Sequence, residues 1–172
     1  MGAVPPSAGD RLMTTPVGQI PASSIPAARA YLLAQIQANT TADPASPSSE
    51  LLVCLDEPGP YQPDDIISIG DVHQTYSPEA TVGSGGSHWL LETYTITITV
   101  DVYRGGDDPA GVFSRARSLA DLVVAVVRSD PSLGGAVDRG RPGGVTHEVR
   151  WDDEHKGRHC VIEIAIECLK TL

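Results

Sequence analysis

The amino-acid sequence predicts an α+β fold: a largely antiparallel sheet of about five strands with two helices packed on it, in the order α-β-β-β-α-β-β. Three observations carry that reading. From Leu90, the positions Tyr94, Ile96, Ile98, Val100 and Val102 alternate with Thr93, Thr95, Thr97, Thr99 and Asp101, a period of two in β-branched residues. After Asp107-Asp108-Pro109, apolar residues recur at intervals of three and four, as on one face of a helix. The C-terminal segment alternates again on both sides of a polar turn.

Residues 1–24 are poor in large apolar groups and carry Pro5, Pro6, Pro16 and Pro21. Such a stretch buries too little surface to offset the entropy of ordering, so it reads as a flexible or partner-ordered arm, with residues 25–172 forming a single domain. Ser23 or Ser24 suits an N-cap and Pro26 a first turn, and Ala30, Leu33, Ile36 and Gln37 fall at helical spacing, so the first helix is expected over 26–38. Pro44 and Pro47 mark a loop. Leu51–Leu55 reads as a short strand stopped by Asp56-Glu57-Pro58-Gly59-Pro60, and Ile66–Val72 as a second. His73–Ser87, with Gly83, Gly85 and Gly86, is expected to be a loop. The alternating strand that follows is about 14 residues, roughly 46 Å, longer than a small domain needs.

Gly105-Gly106 ends that strand, and either Asp107 or Asp108 caps the second helix, whose apolar face takes Val112, Phe113, Ala116, Leu119, Ala120, Val123 and Val127. Asp130-Pro131 breaks it, and Leu133–Gly144 is expected as a glycine-rich loop. Val145, His147, Val149 and Trp151 then alternate with polar residues, Asp152–Arg158 turns, and Cys160, Ile162, Ile164, Ile166 and Cys168 complete a hairpin.

Charge narrows the function. Twenty-two acids against twelve bases leave −10, and residues 50–108 hold eleven acids with Arg104 as their one base. A block of that sign repels nucleic acid rather than gripping it. The longest aliphatic run, Leu122–Val127, is far too short to span a membrane, and the opening residues lack a basic-then-apolar signal, so a soluble, acidic, intracellular domain is expected. Three cysteines, Cys54, Cys160 and Cys168, lack a pairing framework and fall at strand positions expected to point into the core. His155, His159 and Cys160 lie close together beside Asp152, Asp153 and Glu154, but no second pair of ligands complements them as a zinc site requires. The glycines of 83–86 lack the lysine and hydroxyl of a phosphate loop. No catalytic residue, metal site or cofactor is expected. Trp89 and Trp151, beside strand ends, are either core edge or anchors of a subunit interface.

An N-terminal helix, acidic strands, a long threonine-alternating strand ending in Val102-Tyr103-Arg104-Gly105-Gly106, a helix, and a hairpin closing on Ile162-Glu163-Ile164-Ala165-Ile166-Glu167-Cys168 follow one another here. That arrangement resembles the tail-terminator (tail-completion) proteins of long-tailed bacteriophages, across roughly residues 25–172. The resemblance implies a structural virion protein, assembled in the host cytoplasm. It would form a ring with itself, a hexamer in that family, cap the tail tube protein, and dock to the head connector or stopper. DNA would pass transiently through the lumen. Asp56, Glu57, Asp64, Asp65, Asp71 and the Asp152-Asp153-Glu154 turn are then candidates to line that lumen, with Trp89, Trp151, Gly83, Gly85 and Gly86 as candidate interface residues. A head-completion or stopper protein of the neck is the neighbouring reading. A small α+β enzyme or ligand-binding domain using the His155/His159 hairpin is the alternative from another class.

Overall fold

The computed structural model describes residues 22–78 and 90–172. Two helices and five strands follow in the expected order: α1 (Ile25–Asn39), β1 (Leu51–Leu55), β2 (Asp65–Pro78), β3 (Leu90–Gly105), α2 (Pro109–Ser129), β4 (Arg139–Asp152) and β5 (Gly157–Thr171). The sheet runs β1-β2-β3-β5-β4, so the long alternating strand is central and β1 and β4 are the edges. β1 pairs with β2 in parallel and every other neighbouring pair is antiparallel.

Both helices cover the same face. The even positions of β3 from Tyr94 to Val102 meet Ile67 and Ile69 of β2 and Cys160, Ile162, Ile164 and Ile166 of β5 in a core closed by Ala28, Leu32 and Ile36 of α1 and Val112, Ala116, Leu119 and Val123 of α2. Their β-branched shapes suit a pleated surface, and burial of each large aliphatic side chain contributes about 1.5–3 kcal/mol. The odd positions Thr93, Thr95, Thr97, Thr99 and Asp101 of β3 stand on the other face, which no helix among the described residues covers.

Several local expectations are corrected. The segment His73–Pro78 is not loop: β2 bends at a bulge between Ile69 and Val72 and then continues against β3, with Thr75 beside Thr93 and Pro78 beside Leu90. The second half of the glycine-rich stretch before the hairpin is also strand, because β4 starts at Arg139 and absorbs Gly143-Gly144 in a bulge between Pro142 and Val145. Ser24 occupies the N-cap of α1 without a capping bond from its side chain; its hydroxyl goes to Glu92 instead. At α2 the expectation holds, with Asp108 Oδ1 accepting from the Gly111 amide at 2.9 Å. Phe113, placed on the buried face of α2 by spacing alone, is exposed and leans on His147 with ring centroids 5.9 Å apart. Cys160 and Cys168 are buried, and burial pushes the Cys168 thiol up to about 11. Cys54 is only half-buried, on the uncovered side of β1.

Candidate interaction surface

Polar groups on this sheet form two kinds of cluster. The first is internal. Asp65, at the start of β2 and 1% exposed, accepts from Arg104 Nη1 at 2.6 Å and from Arg115 Nε at 2.8 Å. Asp43, in the loop after α1, accepts from Arg104 Nη2 at 2.8 Å. Two carboxylates thus face two guanidinium groups, and the lone base of the acidic segment is occupied by this pairing. For Asp43 burial works against ionisation, yet the bonds from Arg104 and the Ala45 amide and the nearby Arg115 charge outweigh it and hold the carboxyl below its usual range. Asp65, a candidate lumen acid by sequence, is therefore sequestered in a neutral internal cluster and offers no charge to a surface.

A second internal group pins the start of α1. Glu92, fully buried on β3, accepts from the Ser24 amide at 3.0 Å, the Ser24 hydroxyl at 2.7 Å and Gln74 Nε2 at 2.5 Å. Burial would raise this carboxyl, but the hydrogen bonds from Ser23, Ser24 and Gln74 win and leave it lowered.

The other kind of cluster lies on the uncovered face, where register puts Thr93, Thr95, Thr97, Thr99 and Asp101 of β3 beside Thr75 of β2 and Glu163 and Glu167 of β5. Glu148 and Asp152 of β4 continue it beside Val161 and Gly157. Five acids on this face, Asp101, Glu148, Asp152, Glu163 and Glu167, stand against three arginines, Arg139, Arg141 and Arg150. Arg141 is clamped to Glu167 at 2.6–2.7 Å. The face is hydroxyl-rich and net negative.

At the hairpin end a groove of about 230 Å³ is lined by Asp64, Asp101, Tyr103, His155 and His159. His159 stands between two carboxylates, with Nδ1 3.0 Å from Asp101 and Nε2 3.4 Å from Asp152. His155 Nδ1 lies 2.9 Å from the same Asp152 oxygen, and Tyr103 donates to the His155 carbonyl at 2.7 Å. The His155 side chain draws the Asp152 carboxyl down to about 2, and Asp152 in return raises His155. Gly157 is required beneath this group, since a Cβ there would stand 2.4 Å from the Tyr103 ring. Both His159 nitrogens face carboxylates, so neither is presented to a hydroxyl or thiol nucleophile. No group of three or more metal-ligating side chains converges among the described residues. In this hairpin both histidines are bonded to carboxylates, His155 to Asp152 and His159 to Asp101.

Of the remaining sequence candidates, Asp64 and Asp152 reach the groove. Asp153 accepts from the Trp151 indole at 2.8 Å, and Glu154 is exposed in the same turn. Asp56 pairs with Arg29, while Glu57 and Asp71 are exposed. Trp151 is 37% exposed, with the Arg158 guanidinium 5.4 Å from its ring centre. Trp89, Gly83, Gly85, Gly86 and residues 1–21 lie outside the described residues. Sequence reasoning missed Asp101, Glu163 and Glu167 as surface acids. Their signal was present, because all three fall on the threonine phase of the alternation in β3 and β5.

No protein-family model and no curated protein matches the sequence. Among solved structures, a chain from the virion of a native gene transfer agent particle is similar to this one over 82% of this chain and 93% of its own, at 15% identity and a TM-score of 0.38. A likeness of that size carries no argument about function. No helix among the described residues is long and apolar enough to cross a membrane.

Proposed function

We propose that the chain is a structural virion subunit that forms a ring, a hexamer by the family resemblance, at the head-proximal end of a phage-type tail. There it ends growth of the tail tube and docks the tail to the head connector. The observation that carries the reading is the one-sided sheet: two helices seal one face, while no helix or strand among the described residues covers the other face or pairs with the outer sides of β1 and β4. A ring of identical subunits needs two different patches that meet head to tail, and two unlike sheet edges supply them. The uncovered face is turned to the lumen, where threonine hydroxyls and a net negative charge let DNA slide past without adhering. Asp64, Asp152, Asp153 and Glu154 remain lumen candidates, joined by Asp101, Glu163 and Glu167. Asp56, Glu57 and Asp71 border the β1 edge of that wall, and Asp65 is withdrawn because it is internally paired.

Electron microscopy of tails made without this protein, before and after adding it back, tests the role. Overlong tails that gain a terminal ring and then join heads are the expected result. Tails of normal length that already end in a ring would move the assignment to the neck stopper. No association with tails would overturn the reading.

A further inference from the structure

The two sheet edges match each other in level, direction, side-chain character and charge. From this we infer that, in the proposed ring, β1 of one copy pairs antiparallel with the second half of β4 of the next, Leu51 beside Val149 and Leu55 beside Val145. The inference deepens the ring reading and rests on it.

Level comes from the register. Following pairs across the sheet, Leu51 lies in one row with Asp65, Val102, Cys160 and Val149, and Leu55 in one row with Ile69, Ile98, Ile164 and Val145. The five-residue β1 therefore stands at the height of residues 145–149 of β4. Direction follows from the pairings: one parallel and three antiparallel steps leave β1 and β4 running oppositely. A second copy set beside the first thus brings an antiparallel partner, with the helices on the same side.

β4 itself is divided. Its first half carries Arg139, Arg141, Pro142 and a glycine bulge, devices that discourage strand addition. Its second half, Val145-Thr146-His147-Glu148-Val149-Arg150-Trp151, has no proline and no bulge. Of the six exposed large apolar side chains among the described residues, Val149, Trp151 and Phe113 lie at one edge and Leu55 and Tyr61 at the other, with Tyr76 apart from them on β2. On β1, Glu50 and Asp56 bond toward β2 through backbone, so the odd residues direct theirs outward. Among the outward carbonyls, that of Val53 is held by the exposed Gln37 amide at 3.1 Å, which an incoming strand displaces.

Charge fixes the register. Asp56 and Asp65 are paired with arginines of their own chain and Arg141 with Glu167, so the charges that bear on the register are Glu50, which accepts from the Tyr61 hydroxyl, and Arg150. In the pairing that puts Leu51 beside Val149, Glu50 falls beside Arg150, which has no ion-pair partner among the described residues.

The same register sets Cys54 opposite Thr146 on the uncovered face, at a site where the odd β1 residues and not Cys54 hold the cross-strand backbone bonds. Cα atoms at such a pair stand about 4.5 Å apart, within the span of a disulfide. The test is the full-length Thr146→Cys protein, oxidised mildly, with the ladder read on a non-reducing gel and the assembly size by native mass spectrometry. Cys54 and residue 146 are on opposite edges of one chain, so the expected product is a ladder of linked subunits ending at the ring number. It disappears in the Cys54→Ser background. Arg150→Glu should lower its yield severalfold, and adding Glu50→Arg should restore it. A closed assembly without a ladder overturns the edge pairing and leaves the ring standing. Dimers alone, or links that persist without Cys54, overturn the head-to-tail contact. A monomer with no ladder overturns both the pairing and the ring.

Discussion

β3 has two faces drawn from a single alternating stretch, and they do opposite work. Its even residues from Glu92 to Val102 are sealed under two helices, while Thr93, Thr95, Thr97, Thr99 and Asp101 stand on the other face among carboxylates. The acids divide in the same way. Asp43 and Asp65 are neutralised by Arg104 and Arg115 inside the fold, whereas Asp101 and Asp152 hold histidines at the rim of an open groove. Stability is concentrated on one side of the sheet, and the other side is left available for contact.

The largest effect should come from breaking the internal cluster. Arg104→Ala leaves two buried carboxylates with one partner, and urea unfolding should show a loss of about 3–5 kcal/mol. A loss below about 1 kcal/mol would mean that the cluster is solvated and that the contrast between the acids is not real. Next in size is the pair of neighbours on β3 itself. Ile98→Ala opens a cavity in the core and should lose about 2–5 kcal/mol, while Thr97→Ala, one residue away on the uncovered face, should change stability by about 1 kcal/mol or less. Equal losses at the two positions would show that the threonine face is as tightly packed as the core.

Glu92→Gln sharpens the contrast further, since it replaces a buried carboxylate that accepts three bonds with a group that must also donate. We expect a loss of about 1–3 kcal/mol. Because the Glu92 carboxyl is lowered in the fold, its contribution is present above the usual glutamate range and fades as pH falls through the folded value. The wild type should therefore lose stability in acid more steeply than Glu92→Gln; parallel pH profiles would contradict this.

The smallest effect belongs to the hairpin turn, which has two pH limits. Asp152 is lowered to about 2, so its contribution is lost only as pH drops toward that value. His155 is raised, so its contribution is complete below the ordinary histidine range and fades as pH climbs through its folded value. Amide protection in residues 153–157, taken relative to the intrinsic exchange rate at each pH, should be greatest in mildly acidic solution and smaller on both sides, and Asp152→Asn should flatten that profile. An unchanged profile would remove the His155–Asp152 pair as its cause.

The sequence declared element order, most of the α2 face and both faces of β3 because hydrophobic period is a local property. On α1, by contrast, the spacing Ala30, Leu33, Ile36 and Gln37 shares only Ile36 with the buried face of Ala28, Leu32 and Ile36. What it concealed were features set by partners distant in the chain. His73–Pro78 has no apolar alternation strong enough to name a strand, and it is one because β3 extends far enough to pair with it. Arg139–Gly144 contains a proline and three glycines that read as loop, yet an edge strand tolerates both residue types through a bulge. Asp65 looks like any acid of a charged segment until Arg104 and Arg115, 39 and 50 residues away, close on it. Ser24 fitted a cap by type, and a buried glutamate 68 residues on claimed its hydroxyl. The uncovered face was legible in its threonines, but the matching level of β1 and β4 emerges only from four registers taken together.

One measurement bears most directly on the division between a sealed and a working face: a cryo-electron microscopy reconstruction of the assembled full-length protein. It should show a closed ring in which Thr93, Thr95, Thr97 and Thr99 face the axis and α2 faces outward. A ring with α2 on the axis, or protein that remains monomeric at the tail end, would contradict it.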